Sequence, residues 1–326
     1  MELNGKPHNA CAMPHAVLTA GGQLDIWLGS KPKRTSTDKN MKKRQIMVSA
    51  AFVLLTFTPM MVQKAGGRTA KGSKPNCQQM IQHPWQGKRV AYFGDSITDP
   101  NNMPSATLYW GFLQQWLGIT PWVYGVSGRE WSDIPRQADQ LKADHGDYVD
   151  AILIFCGTND FNNSVPVGDW YYETEDSVTS AVGRPAAKVL CRHRHFSMNP
   201  DTYRGRINIA LSKLKQMYPT KQMVLLTPLH RAYFHYSNTN IQPDEMFANG
   251  AGLYVDSYVQ SIREASAIWS VPVIDLNAQS GLFPLADGCA QFFHNADTDR
   301  LHPNEAGHAR IARLLMYQLA TLPCTF

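Results

Sequence analysis

Ser96 ends the run Arg-Val-Ala-Tyr-Phe-Gly-Asp-Ser at 89–96, and near the far end of the chain Asp299 and His302 stand three residues apart. A hydroxyl is a poor nucleophile until a base removes its proton. A neutral imidazole serves as that base when a carboxylate holds its second nitrogen in the right tautomer. Asp299 and His302 can supply such a pair within one turn, and Pro303 suits the first position of a helix, which would set His302 at a helix entrance. Attack on a carbonyl carbon also builds negative charge on oxygen, which needs donors fixed in advance. The N–H groups of Ser96 and Gly128 and the side-chain amide of Asn159 are the natural three, the latter two drawn from the stretches Gly-Val-Ser-Gly at 125–128 and Gly-Thr-Asn-Asp at 157–160. Singly, each residue has a plain structural reading: Ser96 and Asp299 as caps, Gly128 as a tight turn, His302 as a partly exposed histidine, Asn159 as a turn residue.

Their placement in the chain argues for more. From Gly87 onward, apolar runs suited to buried strands (89–93, 122–126, 148–156, 223–226 and 271–276) alternate with helical stretches at 109–117, 134–143, 206–218, 251–268 and 305–319. Five strands alternating with helices predict a three-layer α/β sandwich on a five-stranded parallel sheet. Right-handed crossovers bring all five strand C-termini to one edge, where open α/β sheets bind their ligands. Ser96, Gly128 and Asn159 follow the first three strands directly. Asp95 reads as a structural residue of the turn after the first strand. The elbow of ordinary α/β-hydrolases is excluded, because it needs Gly two residues after the serine and this chain has Thr98.

Composition narrows the partners. The chain has 326 residues and a formal charge of +5, but residues 1–74 hold 12 Lys/Arg against 3 Asp/Glu, leaving 19 against 23 in the remainder. A mildly acidic body lacks the basic footprint of a nucleic-acid binder. Met41 is followed by Lys42, Lys43 and Arg44, then by seventeen uncharged residues at 46–62, then by small residues at Ala65 and Gly66. That is the form of a secretory signal at 41–65, with Met41 the true start, 1–40 upstream sequence and 66–86 a linker to a domain at 87–322. The expectation is an exported protein, periplasmic or extracellular, without a membrane span once the signal is removed; an uncleaved signal would anchor it. Six cysteines stand at 11, 77, 156, 191, 289 and 324, in no recognisable disulfide framework, so zero to two bridges are expected. Cys191, His193 and His195 cluster, but without a second ligand pair they read as a solvated basic turn, and no metal site is assigned.

Two long interruptions, 161–203 and 229–249, leave from strand ends and are expected to overhang the site. Their aromatic and polar residues Trp170, Tyr171, His230 and Tyr233 are the candidates for substrate contact.

Ser96, Gly128, Asn159 and His302 resemble, in type, order and context, the four residues for which the SGNH hydrolases, or GDSL esterase/lipase family, are named. The resemblance spans about 87–322. It implies a flavodoxin-like sandwich, Ser96 as nucleophile, His302 as base, Asp299 as its partner, and Ser96, Gly128 and Asn159 as oxyanion donors. The expectation is a serine esterase working through an acyl-serine intermediate without metal or cofactor on a small-molecule or glycan ester. A carbohydrate O-acetyl esterase fits best, because no hydrophobic lid is visible. The alternatives are a lipase or lysophospholipase-type acylhydrolase, or a non-catalytic carbohydrate-binding protein on the same fold. Oligomeric state stays open.

Overall fold

The computed structural model describes residues 82–102, 105–181, 183–324 and 326, with three two-residue strands, Glu2–Leu3, Lys6–Pro7 and Leu24–Asp25, nearer the start. The chain divides into a unit of residues 1–74 and a unit of residues 75–326. In the first, the three short strands pair antiparallel around Glu2–Leu3. The leader at 41–65, the remainder of 1–40 and residues 66–81 of the linker lie outside the described residues.

The second unit is built on five parallel strands: β1 (Arg89–Gly94), β2 (Thr120–Val123), β3 (Ala151–Phe155), β6 (Gln222–Leu226) and β9 (Val273–Ile274), in the order β9-β6-β3-β1-β2. This 2-1-3 arrangement with the rest following in sequence is the flavodoxin-like winding. The three central strands are buried on both faces, which is why each reads as an unbroken apolar run. Alternate residues feed two cores. Ala91, Phe93, Ile152, Ile154 and Leu225 pack under α2 (Ile134–His145), α4 (Tyr203–Met217) and α5 (Val255–Trp269). Val90, Tyr92, Leu153, Val224 and Leu226 pack under α1 (Tyr109–Leu117) and α7 (Glu305–Thr321). Two helical layers therefore enclose the sheet, and the expected three-layer sandwich is observed.

The edge strands are shorter than their apolar runs. β2 stops at Val123, although Tyr124 N–H still donates to Tyr92 O (2.9 Å) and Val126 N–H to Gly94 O (3.2 Å). The chain there must pass over Thr98: a Cβ on Gly125 would stand 2.6 Å from Thr98 Cβ, so only glycine fits. Pro121 is tolerated because β2 pairs on one side alone.

Two antiparallel structures interrupt the alternation. Within 161–203, after the short helix α3 (Thr158–Asn162), β4 (Tyr171–Ser180) and β5 (Ala187–Phe196) form a ten-rung hairpin, exposed over most of its length. The sequence reading of 191–195 as a turn is corrected: these residues lie in β5. At the other interruption, β7 (Phe234–Ser237) and β8 (Asn240–Gln242) join β10 (Phe293–Asn295) and β11 (Asp299–Pro303) in the order β8-β7-β11-β10; a short helix α6 (Leu276–Gln279) lies between β9 and β10. Asp299 to His302 are therefore strand residues rather than a helix entrance. Asn304, not Pro303, starts the last helix: its side chain accepts from Gly307 N–H (3.1 Å) and donates to Phe293 O (3.0 Å), capping α7 and holding β10 at once. Among the described residues Cys156, Cys191, Cys289 and Cys324 are free thiols.

Candidate active site

β1 ends at Gly94, where a Cβ would lie 2.3 Å from Phe155 O; glycine lets the ends of β1 and β3 close together. The buried Gln137 amide grips this point from α2, Nε2 donating to Gly94 O (2.9 Å) and Oε1 accepting from Gly94 N–H (2.9 Å). The turn that follows is wound on Asp95: its carbonyl accepts from Thr98 and Asp99 N–H (both 3.0 Å) and its carboxylate from Ile97 N–H (3.1 Å). Burial pushes the Asp95 carboxyl up to about 6, against the pull of the Ile97 N–H and of the nearby His302 and Arg231. Asn102 Nδ2 donates to Ser96 O (2.8 Å), and Trp110 Nε1 to Thr98 O (3.0 Å). Ser96 thus sits on a turn braced from several sides.

Across from it, Asp299 and His302 stand on β11. Asp299 Oδ1 accepts from the backbone N–H of Leu301 (3.1 Å) and His302 (2.9 Å), which fixes the carboxylate beside the imidazole. His302 Nδ1 lies 3.0 Å from Asp299 Oδ2, and His302 Nε2 lies 3.0 Å from Ser96 Oγ. Ser96, His302 and Asp299 are 8 %, 8 % and 5 % exposed, so the relay is almost dry while its mouth stays open. Burial raises the Asp299 carboxyl, but the hydrogen bonds from the His302 ring and backbone and from His294 outweigh it, and the group lies below the ordinary carboxylate range. The Phe234 ring packs edge-on to the imidazole at 5.0 Å.

Gly128 takes a φ of +76°, a left-handed conformation natural to glycine. Its loop is tied to the serine turn by Asp99, whose Oδ2 accepts from Ser127 N–H (2.8 Å) and Ser127 Oγ (2.9 Å). Asn159, on α3, donates from Nδ2 to Arg129 O (3.0 Å), which leaves its second amide hydrogen free to turn inward. The next residue, Asp160, accepts from Trp131 N–H (3.0 Å) and from Arg206 Nη1 (2.9 Å), joining the second and third loops below the surface. Burial pushes its carboxyl up to about 7 in spite of those donors. Neither the Ser96 nor the Gly128 N–H finds an acceptor among the described residues. Ser96, Gly128, Asn159 and His302 share one cavity of about 280 Å³ with Asn102, Ser127, Phe234, Tyr236, Asn240, Gln242 and Leu301.

The five catalytic and oxyanion candidates are therefore brought together. The substrate-loop candidates are not. Trp170 is buried, Nε1 donating to Glu264 Oε2 (2.8 Å), and the Tyr171 ring packs tilted against Phe196 at 5.2 Å at the foot of the hairpin; neither lines the cavity. His230 faces Glu245 (Nδ1 to Oε1 2.6 Å), whose hydrogen bond raises its pKa, and Tyr233 gives only its carbonyl to Arg300 N–H (3.0 Å). The 229–249 segment does reach the cavity, but through Phe234, Tyr236, Asn240 and Gln242. Tyr233 falls on the other face of the strand from Phe234, as alternation requires. The 161–203 segment contributes no lining residue.

Several residues escaped the sequence reading. Asp99, four positions past Asp95, was visible as a second acid but not as the clamp on Ser127. His294 Nδ1 lies 3.0 Å from Asp299 Oδ2, so the carboxylate bridges two imidazoles. The buried Arg231 donates from Nη1 to Thr158 O and Oγ1 (both 3.1 Å) and from Nη2 to Gln242 Oε1 (2.6 Å), locking β8 to α3. Burial lowers that guanidinium to about 10.

A serine, an imidazole and a carboxylate in relay, at the strand-end crevice of a doubly wound sheet, define the class of α/β-sandwich hydrolases. The GDSL-like lipase/acylhydrolase family model matches residues 92–310, and the chain belongs to that family and is a carboxylic ester hydrolase. Among solved structures it is similar to a protein of Lactobacillus plantarum at 23% identity, covering 72% of this chain and 97% of that one with a TM-score of 0.54. It is also similar to a possible lipase of Chitinophaga pinensis, at 20% identity, 71% and 97% coverage and a TM-score of 0.54. An acetylxylan esterase of Geobacillus stearothermophilus matches at 18% identity over 73% and 96% with a TM-score of 0.43, a likeness too loose to bear on substrate. No curated protein sequence matches the chain.

Proposed function

We propose that Ser96 is the nucleophile of an exported esterase that removes small acyl groups, acetyl foremost, from a carbohydrate. His302 Nε2, 3.0 Å from Ser96 Oγ, takes the hydroxyl proton as Oγ attacks the ester carbonyl, while Asp299 holds Nδ1 and stabilises the imidazolium. The oxyanion forms toward the Ser96 and Gly128 N–H groups and the Asn159 amide. Collapse transfers the proton from His302 to the departing alcohol and leaves acyl-Ser96. A water deprotonated by His302 then attacks the acyl carbon, and Ser96 leaves with the returned proton.

The observation that carries the substrate class is the cavity itself. About 280 Å³ in volume, it shares Asn102, Phe234, Tyr236 and His302 with a neighbouring hollow of about 410 Å³, and Asn102, Ser127, Asn159, Asn240 and Gln242 line it with amide and hydroxyl groups beside the rings of Phe234, Tyr236 and His302. Such a wall suits a hydroxyl-rich alcohol and a short acyl group. Export rests on the basic, then apolar, then small-residue order at 41–66.

One feature favours the rival lipid-ester reading: Tyr236, Ile241, Met246 and Phe247 are exposed on or just beyond the β7–β8 hairpin. A hydrolysis panel from acetyl to long-chain esters, with acetylated polysaccharides alongside, separates the two. Acetyl esters and acetylated glycans should turn over fastest. Turnover of long-chain esters without activity on acetylated sugars sinks the glycan reading.

A further inference from the structure

We propose that one face of the β4–β5 hairpin is a binding site for a divalent transition-metal ion of the zinc type, held by Asp176, His193 and His195 with Cys191 as fourth ligand. The donors come from both strands. Directly opposed residues of an antiparallel pair share a face, and the register opposes Thr174 to His193, Asp176 to Cys191 and Tyr172 to His195. Cys191, His193 and His195, two apart along β5, therefore share that face with Asp176. Asp176 Oδ2 lies 2.7 Å from His193 Nδ1 and 3.4 Å from His195 Nε2, and the ligand atoms of the three all fall within 4.8 Å of one another. Neighbouring ligands around a tetrahedral zinc with bonds of about 2.0–2.2 Å stand roughly 3.3–3.6 Å apart, so small side-chain rotations close these three around an ion, while Cys191 Sγ lies outside the trio and joins as fourth ligand by a change of rotamer. Two imidazoles, a carboxylate and a thiolate are the donor set that borderline metals prefer. The second ligand group missing from the sequence comes from across the ladder.

On binding, the metal takes the lone pairs of His193 Nδ1, His195 Nε2 and a carboxylate oxygen; each neutral imidazole then carries its proton on the ring's other nitrogen, and Cys191 releases its thiol proton to solvent. The consequence is mechanical. Beyond its base, where Phe196 stacks on Trp269 at 4.4 Å, the ribbon is exposed on both faces, and such two-stranded hairpins are marginal in water. A metal clip across the strands would stiffen it.

The test uses the full chain purified without a polyhistidine tag. Co²⁺ titration should give one equivalent with tetrahedral d–d bands and a thiolate charge-transfer band, displaced by Zn²⁺, and a chromophoric chelator should report micromolar Zn²⁺ affinity. The double variant His193→Ala, His195→Ala should weaken Zn²⁺ binding by at least about 100-fold with unchanged circular dichroism. Cys191→Ser should remove the charge-transfer band. Zn²⁺ should also slow tryptic cleavage after Lys188, near the tip of the hairpin, in the native chain and not in the double variant. Undiminished affinity in the double variant, or no binding below millimolar metal, overturns the proposal.

Discussion

The crevice edge and the β4–β5 hairpin use the same kinds of side chain, histidines, acids and aromatics, yet they differ in what stands behind them. Around Ser96 the loops are cross-tied by groups from distant parts of the chain: Gln137 on Gly94, Asp99 on Ser127, Asn159 on Arg129, Asp160 on Trp131 and Arg206. The loops of Ser96 and Asn159 hang from strands buried on both faces, so a displacement at the site would have to be shared by the core. In the hairpin the pairs are local, such as Arg192 with Glu173 at 3.3 Å, and solvent lies on either side. Fixed geometry within a few tenths of an ångström suits chemistry, and an exposed ribbon cannot supply it without help. The contrast explains why the aromatics at the hairpin foot, Trp170 and Tyr171, serve packing while the site takes Phe234 and Tyr236.

The comparison is tested most severely by Asp299→Asn. It keeps the shape but not the charge that orients His302, and should lower kcat by about 10⁴-fold on a soluble acetyl ester. A loss under tenfold would mean that the relay is not the working machinery. Asn159→Ala, removing one oxyanion donor, should lower kcat by about 10² to 10³-fold with KM little changed. A change in KM alone would assign Asn159 to substrate binding instead.

Legibility followed the same division. β1, β3 and β6 could be read directly because burial on both faces leaves continuous apolar runs, and the residues after them then fell at one edge by topology alone. β4 and β5 could not: with both faces in water, Tyr-Glu-Thr-Glu-Asp and Cys-Arg-His-Arg-His lack the apolar alternation that marks a buried strand face. The strand character of Asp299–Pro303 was hidden by its brevity and by Pro303, which suits a helix start equally well. Asp99, His294 and Arg231 act through partners that sequence spacing does not reveal, Ser127, Asp299 and Thr158 respectively. Tyr233 and Phe234 are neighbours of similar kind, and only the pairing of β7 decides which one faces the imidazole.

Two smaller effects sharpen the contrast. His308 is buried behind Tyr109, whose N–H donates to its Nδ1 (3.3 Å), and burial, aided by the nearby His302, lowers its pKa to about 3. The unfolded chain binds a proton on this residue near pH 6.5 while the folded chain does not. Its contribution to stability is therefore complete above that pH and is lost as pH falls toward 3, at up to about 1.4 kcal/mol per pH unit. His308→Gln, which keeps an acceptor for Tyr109, should flatten the fall of the urea midpoint between pH 6.5 and 4; an unchanged slope would place the acid sensitivity elsewhere. Smallest of all, replacing 173–194 by a short turn should leave kcat/KM on small esters within about twofold, as for surface changes away from a site. A tenfold drop would show that the hairpin reaches the substrate.

The central claim, that Ser96 is the activated nucleophile of the relay, is tested most directly by treating the chain with a fluorophosphonate and mapping the adduct by mass spectrometry. The account predicts one adduct, on Ser96, absent in Ser96→Ala and strongly slowed in His302→Ala. An adduct on another residue, or labelling of Ser96 that is indifferent to His302, would contradict it.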